Sequence, residues 1–230
     1  MSVQSTGPVR STDRRSLPRM EGVTARLYAK GRGSDSQLRT YRQQARELTD
    51  GLPDGADILE IAPGPGYLAV ELARPGRFHV TGIDLSRTFV GIATEYARRQ
   101  GVDVTFRQGD AESLPFPDAS FDLTVCQAAF KNFGRPVAAL DEMYRVLRPG
   151  RTAVIHDMSR ESTPADIDAE VKGMGISRLN SVFVRRVLGL LRLRAASEVR
   201  WREFASLSSF GAAEISRHGI TTEVRLTRPV

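Results

Sequence analysis

Cysteine is all but missing from this 230-residue sequence: Cys126 stands alone, so no disulfide can close within the chain. The histidines His79, His156 and His218 are scattered, no cluster with metal-ligand spacing forms around them, and no metal site is expected. The sequence also lacks any uncharged apolar run of the about eighteen residues that a bilayer-spanning helix needs. Residues 1–20 carry Arg, Ser, Thr and Pro without the apolar stretch of a signal peptide, and are expected to be a disordered tail. These absences together predict a cytoplasmic protein.

What is present suffices for a sizeable core. Hydrophobic residues make up 40% and charged residues 26%, so residues 21–230 are expected to form a single domain. The net charge of +6 is unevenly spread. Residues 1–46 hold ten Lys/Arg against three acids, residues 47–171 twelve against twenty, and residues 172–202 eight against one. An acidic body between two basic segments suits an anionic substrate group or surface partner, although solvated arginines on exposed helix faces give the same composition.

Strand and helix signals alternate from Ser34 onward. A helix over DSQLRTYRQQARELTDGL gives way at Pro53-Asp54-Gly55 to an apolar strand, Ala56 to Ala62, then a glycine loop and a helix over Tyr67 to Ala73. Phe78 to Asp84 reads as the second strand, Ser86 caps a helix ending at Gly101, and Val102 to Gln108 is the third strand. Phe121 to Gln127 is the fourth. Pro136 opens a helix with Leu140, Met143, Tyr144 and Leu147 at helical spacing; Pro149-Gly150 is expected to end it before a fifth strand, Thr152 to Met158. This alternation predicts a doubly wound α/β sheet of parallel strands with helices on both faces. The pattern breaks over residues 160–200, then resumes with a short helix around Phe204 to Phe210 and two strands turning at His218-Gly219.

Ligands of such sheets bind beyond the carboxyl ends of the strands, where Ala62-Pro63-Gly64-Pro65-Gly66 lies. Its glycines allow a ligand to approach the backbone. Gly64-Pro65-Gly66-Tyr67-Leu68-Ala69 also fits the dinucleotide pattern, and Asp84, twenty residues on, sits where a ribose-binding carboxylate belongs. These features point to a nucleoside ligand and leave a nicotinamide cofactor open. Glu60 before the loop, and Gly109-Asp110-Ala111-Glu112 after the third strand, discriminate further. The Asp110 carboxylate suits an adenine amino group, and the Ala111 amide a ring nitrogen.

ILEIAPGPG, VTGIDLS, GDAESLPFPDASFDLTVC and ALDEMYRVLRPG together resemble the class I S-adenosylmethionine-dependent methyltransferases, in particular the group containing ubiquinone and menaquinone biosynthesis methyltransferases. The resemblance implies a Rossmann-like seven-stranded sheet whose last strand is antiparallel. It also implies S-adenosyl-L-methionine as cofactor, S-adenosyl-L-homocysteine as product, and a small-molecule acceptor methylated on O, N or C. Glu60, Ala62, Gly64 and Gly66 would surround the methionine portion, Asp84 the ribose, and Asp110 with Ala111 the adenine. Leu85, Gln127 and Tyr28, the last from a helix closing over the cofactor, complete the implied set. Ala62 replaces the usual first glycine of the loop and Arg151 the second glycine of the common Pro-Gly-Gly, two departures that should leave the cofactor site usable.

Methyl transfer from a sulfonium chiefly requires alignment and exclusion of water. His156, at the carboxyl end of the fifth strand, is the candidate general base for an acceptor that must lose a proton, with a structural hydrogen-bonded role as the alternative. Lys131 is a candidate for meeting an anionic substrate group, or extends into water. Phe130 is a candidate for facing the substrate or sulfonium, against core packing. Ser181 to Ala195 places Phe183, Val184, Val187, Leu188, Leu190 and Leu191 on one helical face, with Arg185 and Arg192 on another. Residues 160–200 are therefore expected to form a helical lid over an apolar substrate with an anionic group, with peripheral membrane contact as the alternative. Two other functions stay open: a protein that binds the cofactor without methylating, and a nucleic-acid methyltransferase. The basic flanks favour the latter, whereas Cys126-Gln127-Ala128-Ala129 lacks the Asn/Asp-Pro-Pro-aromatic signature of base-modifying relatives.

Overall fold

Seven strands and eight α-helices are defined by the computed structural model, which describes residues 20–174 and 176–230. The expected tail at residues 1–20 lies, Met20 apart, outside the described residues. The strands are β1 (Asp57–Ile61), β2 (His79–Asp84), β3 (Thr105–Gln108), β4 (Phe121–Gln127), β5 (Leu147–Met158), β6 (Glu214–His218) and β7 (Thr221–Thr227). They form one sheet in the order β3-β2-β1-β4-β5-β7-β6. The first five pair in parallel, and β7 runs antiparallel to both β5 and β6. The chain reverses its direction of winding between β1 and β4, which opens a crevice at their carboxyl ends.

Alternation along the strands sorts the core into two layers. Leu59, Ile61, Cys126 and Ile155 face α5 (Pro136–Val146) and α8 (Glu198–Leu207), with Met143, Trp201 and Phe204 among the buried side chains. Ile58, Val125 and Val154 face α2 (Asp35–Thr49) and α3 (Tyr67–Ala73) on the opposite side, through Tyr41, Leu48, Leu68 and Leu72. α4 (Arg87–Gln100) contacts α3, β2 and β3, and α1 (Gly22–Arg32) lies on α4. Ser86 caps α4 by accepting from the Phe89 amide at 3.1 Å, and Gly101 ends it in the left-handed conformation, as expected.

Three boundaries differ from expectation. Pro149-Gly150 does not end α5: the helix stops at Val146, and β5 begins at Leu147 with its register slipping against β4 between Phe121 and Leu123. The proline and glycine sit in the irregular start of the strand, where a missing amide is tolerated. The last helix, expected as a short one around Phe204 to Phe210, is α8 at Glu198–Leu207 and starts earlier because Ser197 supplies an N-cap to the Arg200 amide at 3.2 Å. Residues 160–200 hold two helices, α6 (Pro164–Gly173) and α7 (Arg178–Arg194), packed on Met158 at the end of β5. Only part of the expected α7 face turns inward. Val184, Leu188 and Leu191 pack against α6, whereas Phe183 and Leu190 are exposed.

Candidate functional site

The loop after β1 has a backbone that most residues avoid. Ala62, Gly64 and Gly66 all have positive φ, at 55°, 54° and 79°. A Cβ on Gly66 would come within 2.8 Å of Ala93 and Phe106, so packing demands glycine there. A Cβ on Gly64 would meet nothing within 4 Å, so the same loop presents open backbone beyond Gly64. Asp84 holds this geometry: Oδ2 accepts from the Gly64 amide at 3.0 Å and Oδ1 from the Ser86 amide at 2.8 Å. Burial raises its pKa, and those two amides counteract the rise. Each carboxylate oxygen retains acceptor capacity for a ligand hydroxyl.

Glu60 lies in β1 just before the loop with 2% of its surface exposed, and its Oε2 has no hydrogen-bond partner among the described residues. Burial pushes its pKa up to about 8. A buried carboxyl with an unused acceptor is expensive unless a donor arrives. Further along the carboxyl edge of the sheet, Asp110 is exposed; its Oδ1 accepts from the Glu112 amide at 2.9 Å, which fixes the turn that presents Ala111. Leu85 is half-buried and its carbonyl accepts from Gln108 Nε2 at 3.3 Å.

α1 is fastened over the start of α3 and α4. Tyr67 Oη donates to the Ala29 carbonyl at 2.8 Å, Ser86 Oγ to that of Met20 at 2.7 Å, and Tyr28 meets Phe89 edge-on at 5.8 Å. The end of α1 carries Arg32, whose Nη2 donates to Tyr41 Oη at 2.9 Å while its buried Nε has no partner. Gln37, Tyr41 and Gln44 follow on one face of α2. Gln44 Oε1 accepts from Gln127 Nε2 at 2.7 Å, which leaves buried Gln127 Oε1 unpartnered, as is Gln37 Oε1. Gln127 pairs in register with His156, and His156 with Glu223 of β7. His156 Nε2 and Glu223 Oε2 are 2.8 Å apart, and buried Nδ1 of His156 has no partner. Polar atoms of Glu60, Gln127, His156, Gln37 and Arg32 thus lack partners among the described residues on one side of the sheet, beneath α1 and α2. Of these residues, Gln37 lines a groove of about 440 Å³ between α2 and α6, together with Thr40, Asp166 and Glu170.

Two candidates sit elsewhere. Lys131 does not extend into water, because Nζ is buried against Asp157 Oδ1 at 2.8 Å and also donates to the Ala128 carbonyl. Phe130 packs at 4.8 Å from Trp201 in the core between β4 and α8, on the side of the sheet away from α2. A short 3₁₀ turn at Phe130–Asn132 swings both inward. His79 and His218 lie exposed at opposite ends of their strands, and Arg151 pairs with Asp122 at 3.1 Å on the edge remote from the loop. Arg32, Gln37, Tyr41, Gln44 and Glu223 were not anticipated. The stripe of Gln37, Tyr41 and Gln44 at helical spacing, on the face of α2 that buries Leu48, was the available signal.

Residues 59–155 match the family described as Methyltransferase domain. A demethylmenaquinone methyltransferase of Porphyromonas gingivalis is 36% identical over 126 residues, covering 53% of this chain and 51% of the relative. A 27-O-demethylrifamycin SV methyltransferase of Amycolatopsis mediterranei is 31% identical over 146 residues, 60% of this chain and 54% of the relative. The chain spans about half the length of these curated relatives. A SAM-dependent methyltransferase structure from Aquifex aeolicus superposes with a TM-score of 0.64 over 87% of this chain and 96% of that one, at 19% identity, a likeness of fold. Residues 59–155 are thus similar in sequence to a methyltransferase domain, and the chain is similar in fold to a SAM-dependent methyltransferase.

Proposed function

We propose that the protein transfers a methyl group from S-adenosylmethionine to a small-molecule acceptor. One observation carries this reading: the buried, partnerless carboxyl oxygen of Glu60 lies just below a loop whose positive-φ backbone is held by Asp84. The residues fit the cofactor. Glu60 suits the ammonium of its methionine portion, Asp84 its ribose hydroxyls, and Asp110 with the Ala111 amide its adenine. When bound, the cofactor supplies an electrophilic methyl on a sulfonium and leaves as S-adenosylhomocysteine.

The chain's own part is alignment, exclusion of water and, for an acceptor bearing a proton, its removal. His156 is the base in this reading, taking the proton on Nδ1 while Glu223 accepts a hydrogen bond from Nε2–H and stabilises the charge that develops. The acceptor enters beneath α1 and α2, with α6 and α7 covering the end of β5. Arg32 takes the place of Lys131 as the cation facing an anionic acceptor group. The relatives' names include demethylmenaquinone and 27-O-demethylrifamycin SV, so molecules of these two kinds are the first acceptors to test.

Calorimetric titration with S-adenosylmethionine and with NADH tests the ligand: binding of the sulfonium alone is expected, and binding of NADH alone overturns the reading. Incubation with methyl-labelled donor and those acceptors tests transfer. Cofactor binding with no label leaving it for any acceptor supports a protein that binds without methylating.

A further inference from the structure

α7 has two apolar strips, and the fold uses one. Val184, Leu188 and Leu191 are packed against α6 and Met158, while Val182, Phe183, Leu190 and Leu193 are 51%, 68%, 65% and 56% exposed. Its arginines divide in the same way. Arg185 Nε pairs with Asp168 Oδ1 at 2.5 Å and Arg192 Nη1 donates to the Ser162 carbonyl at 2.8 Å, both serving the fold. Arg186 lies among the bared apolar residues, exposed, and among the described residues it has no carboxylate partner. Arg194 is exposed on the same side.

α1 repeats the arrangement. Val23 and Leu27 are 73% and 66% exposed, beside exposed Arg26 and Lys30. Among the described α-helices, α1 and α7 are the two without an acidic residue. Both stand at the carboxyl edge of the sheet, α1 tied to residues that follow β1 and β2, α7 to the end of β5.

We propose that the outer strip of α7, aided by that of α1, docks the protein on the surface of an anionic lipid membrane. Large apolar side chains interspersed with cations, on helices free of acids, match an interface where acyl chains lie below negative headgroups. A second copy of this chain fits less well. In a two-fold contact each strip meets itself, which sets Arg186 and its neighbours against each other with no acid to pair them. The inner strip already packs α7 on the domain, so the outer one is spare even when α6 and α7 cover the site. This docking does not depend on which acceptor is methylated, or on methyl transfer at all.

Co-sedimentation with vesicles of phosphatidylcholine alone, and of phosphatidylcholine mixed with phosphatidylglycerol, tests it. Binding is expected to the mixed vesicles and to weaken with salt. Arg186→Gln should weaken it about fivefold, and the pair Phe183→Ser with Leu190→Ser about tenfold or more. These side chains are exposed, so the urea midpoint should hold. Equal binding to both vesicles, no binding, or binding indifferent to these substitutions overturns the proposal. So does a wild-type dimer in lipid-free sedimentation equilibrium that the Ser pair converts to monomer, since the strip then belongs to a second copy.

Discussion

The ammonium of Lys131 lies 2.8 Å from Oδ1 of Asp157, with only 7% and 2% of the two side chains exposed. The same carboxylate accepts from the backbone amides of Lys131 and Met158, both at 2.7 Å, so the pair locks the turn after β4 to the end of β5. Removing one member of a buried ion pair strands the other. Lys131→Met should therefore lower stability by about 3–5 kcal/mol, read from urea denaturation. A substrate-facing lysine would behave differently: the substitution would leave stability alone and raise KM.

Ala62 stands at φ 55°, where a side chain is strained. For L residues the left-handed conformation costs about 1–2 kcal/mol, and glycine gives back about 0.5–1 kcal/mol through its freedom in the unfolded chain. Ala62→Gly should therefore raise stability by up to about 1.5 kcal/mol, a rise of at most roughly 3–6 °C in Tm for a chain of this size. Calorimetric scanning checks it. A fall in Tm would mean that the Ala62 methyl contributes packing that outweighs the strain.

The carboxyl of Glu60 ties stability to pH and, with Glu60 holding the cofactor's ammonium as proposed, would tie cofactor binding to it as well. Burial lifts its pKa from the 4.5 of a solvated glutamate to about 8, so folding takes up a proton between those values. Stability of the cofactor-free protein should then be highest below pH 4.5 as far as this group is concerned, fall as pH rises towards 8, and level off above it. Within that window the slope approaches about 1.4 kcal/mol per pH unit. Glu60→Gln should flatten it. An ammonium arriving beside Glu60 favours the charged form, so binding of S-adenosylmethionine at pH 7 should release a proton, and at pH 9 should not. Titration in buffers of different ionisation enthalpy measures that release, and its absence at pH 7 would place the ammonium elsewhere.

Much of this architecture is written locally. Ser86, Gly101 and Pro136 mark helix ends through caps and fixed φ, and β4 follows its apolar run from Phe121 to Gln127, because such signals act within a few residues. The same locality places Glu60, Ala62, Gly64 and Asp84 together, since each lies at the carboxyl end of its strand. What escaped was set across the fold. Lys131 and Phe130 follow β4 as expected, yet a 3₁₀ turn and the distant Asp157 and Trp201 turn them into the core. Glu223 reaches His156 only through the antiparallel return of β7, a pairing between residues 67 apart in sequence. Phe183 and Leu190 share a helical face with Val187 on paper, but the docking angle of α7 on α6 decides which strip is buried.

That return of β7 gives the last prediction. With Nε2 of His156 held at 2.8 Å by Glu223, the ring is oriented and its tautomer set, so that Nδ1 is the nitrogen open to an acceptor proton. If His156 is the base, His156→Ala should lower kcat by about 10²–10⁴-fold for an acceptor that must be deprotonated, with cofactor affinity unchanged. Glu223→Gln keeps the shape but offers Nε2–H a neutral partner, and should cost part of that rate without moving KM for the cofactor. Thr222 and Val224 keep β7 on β5 in the variant, and an unchanged urea midpoint would separate orientation from collapse of the strand. Full activity in His156→Ala would leave His156 as a hydrogen-bonded support for β7 and assign the proton to solvent or to the acceptor itself.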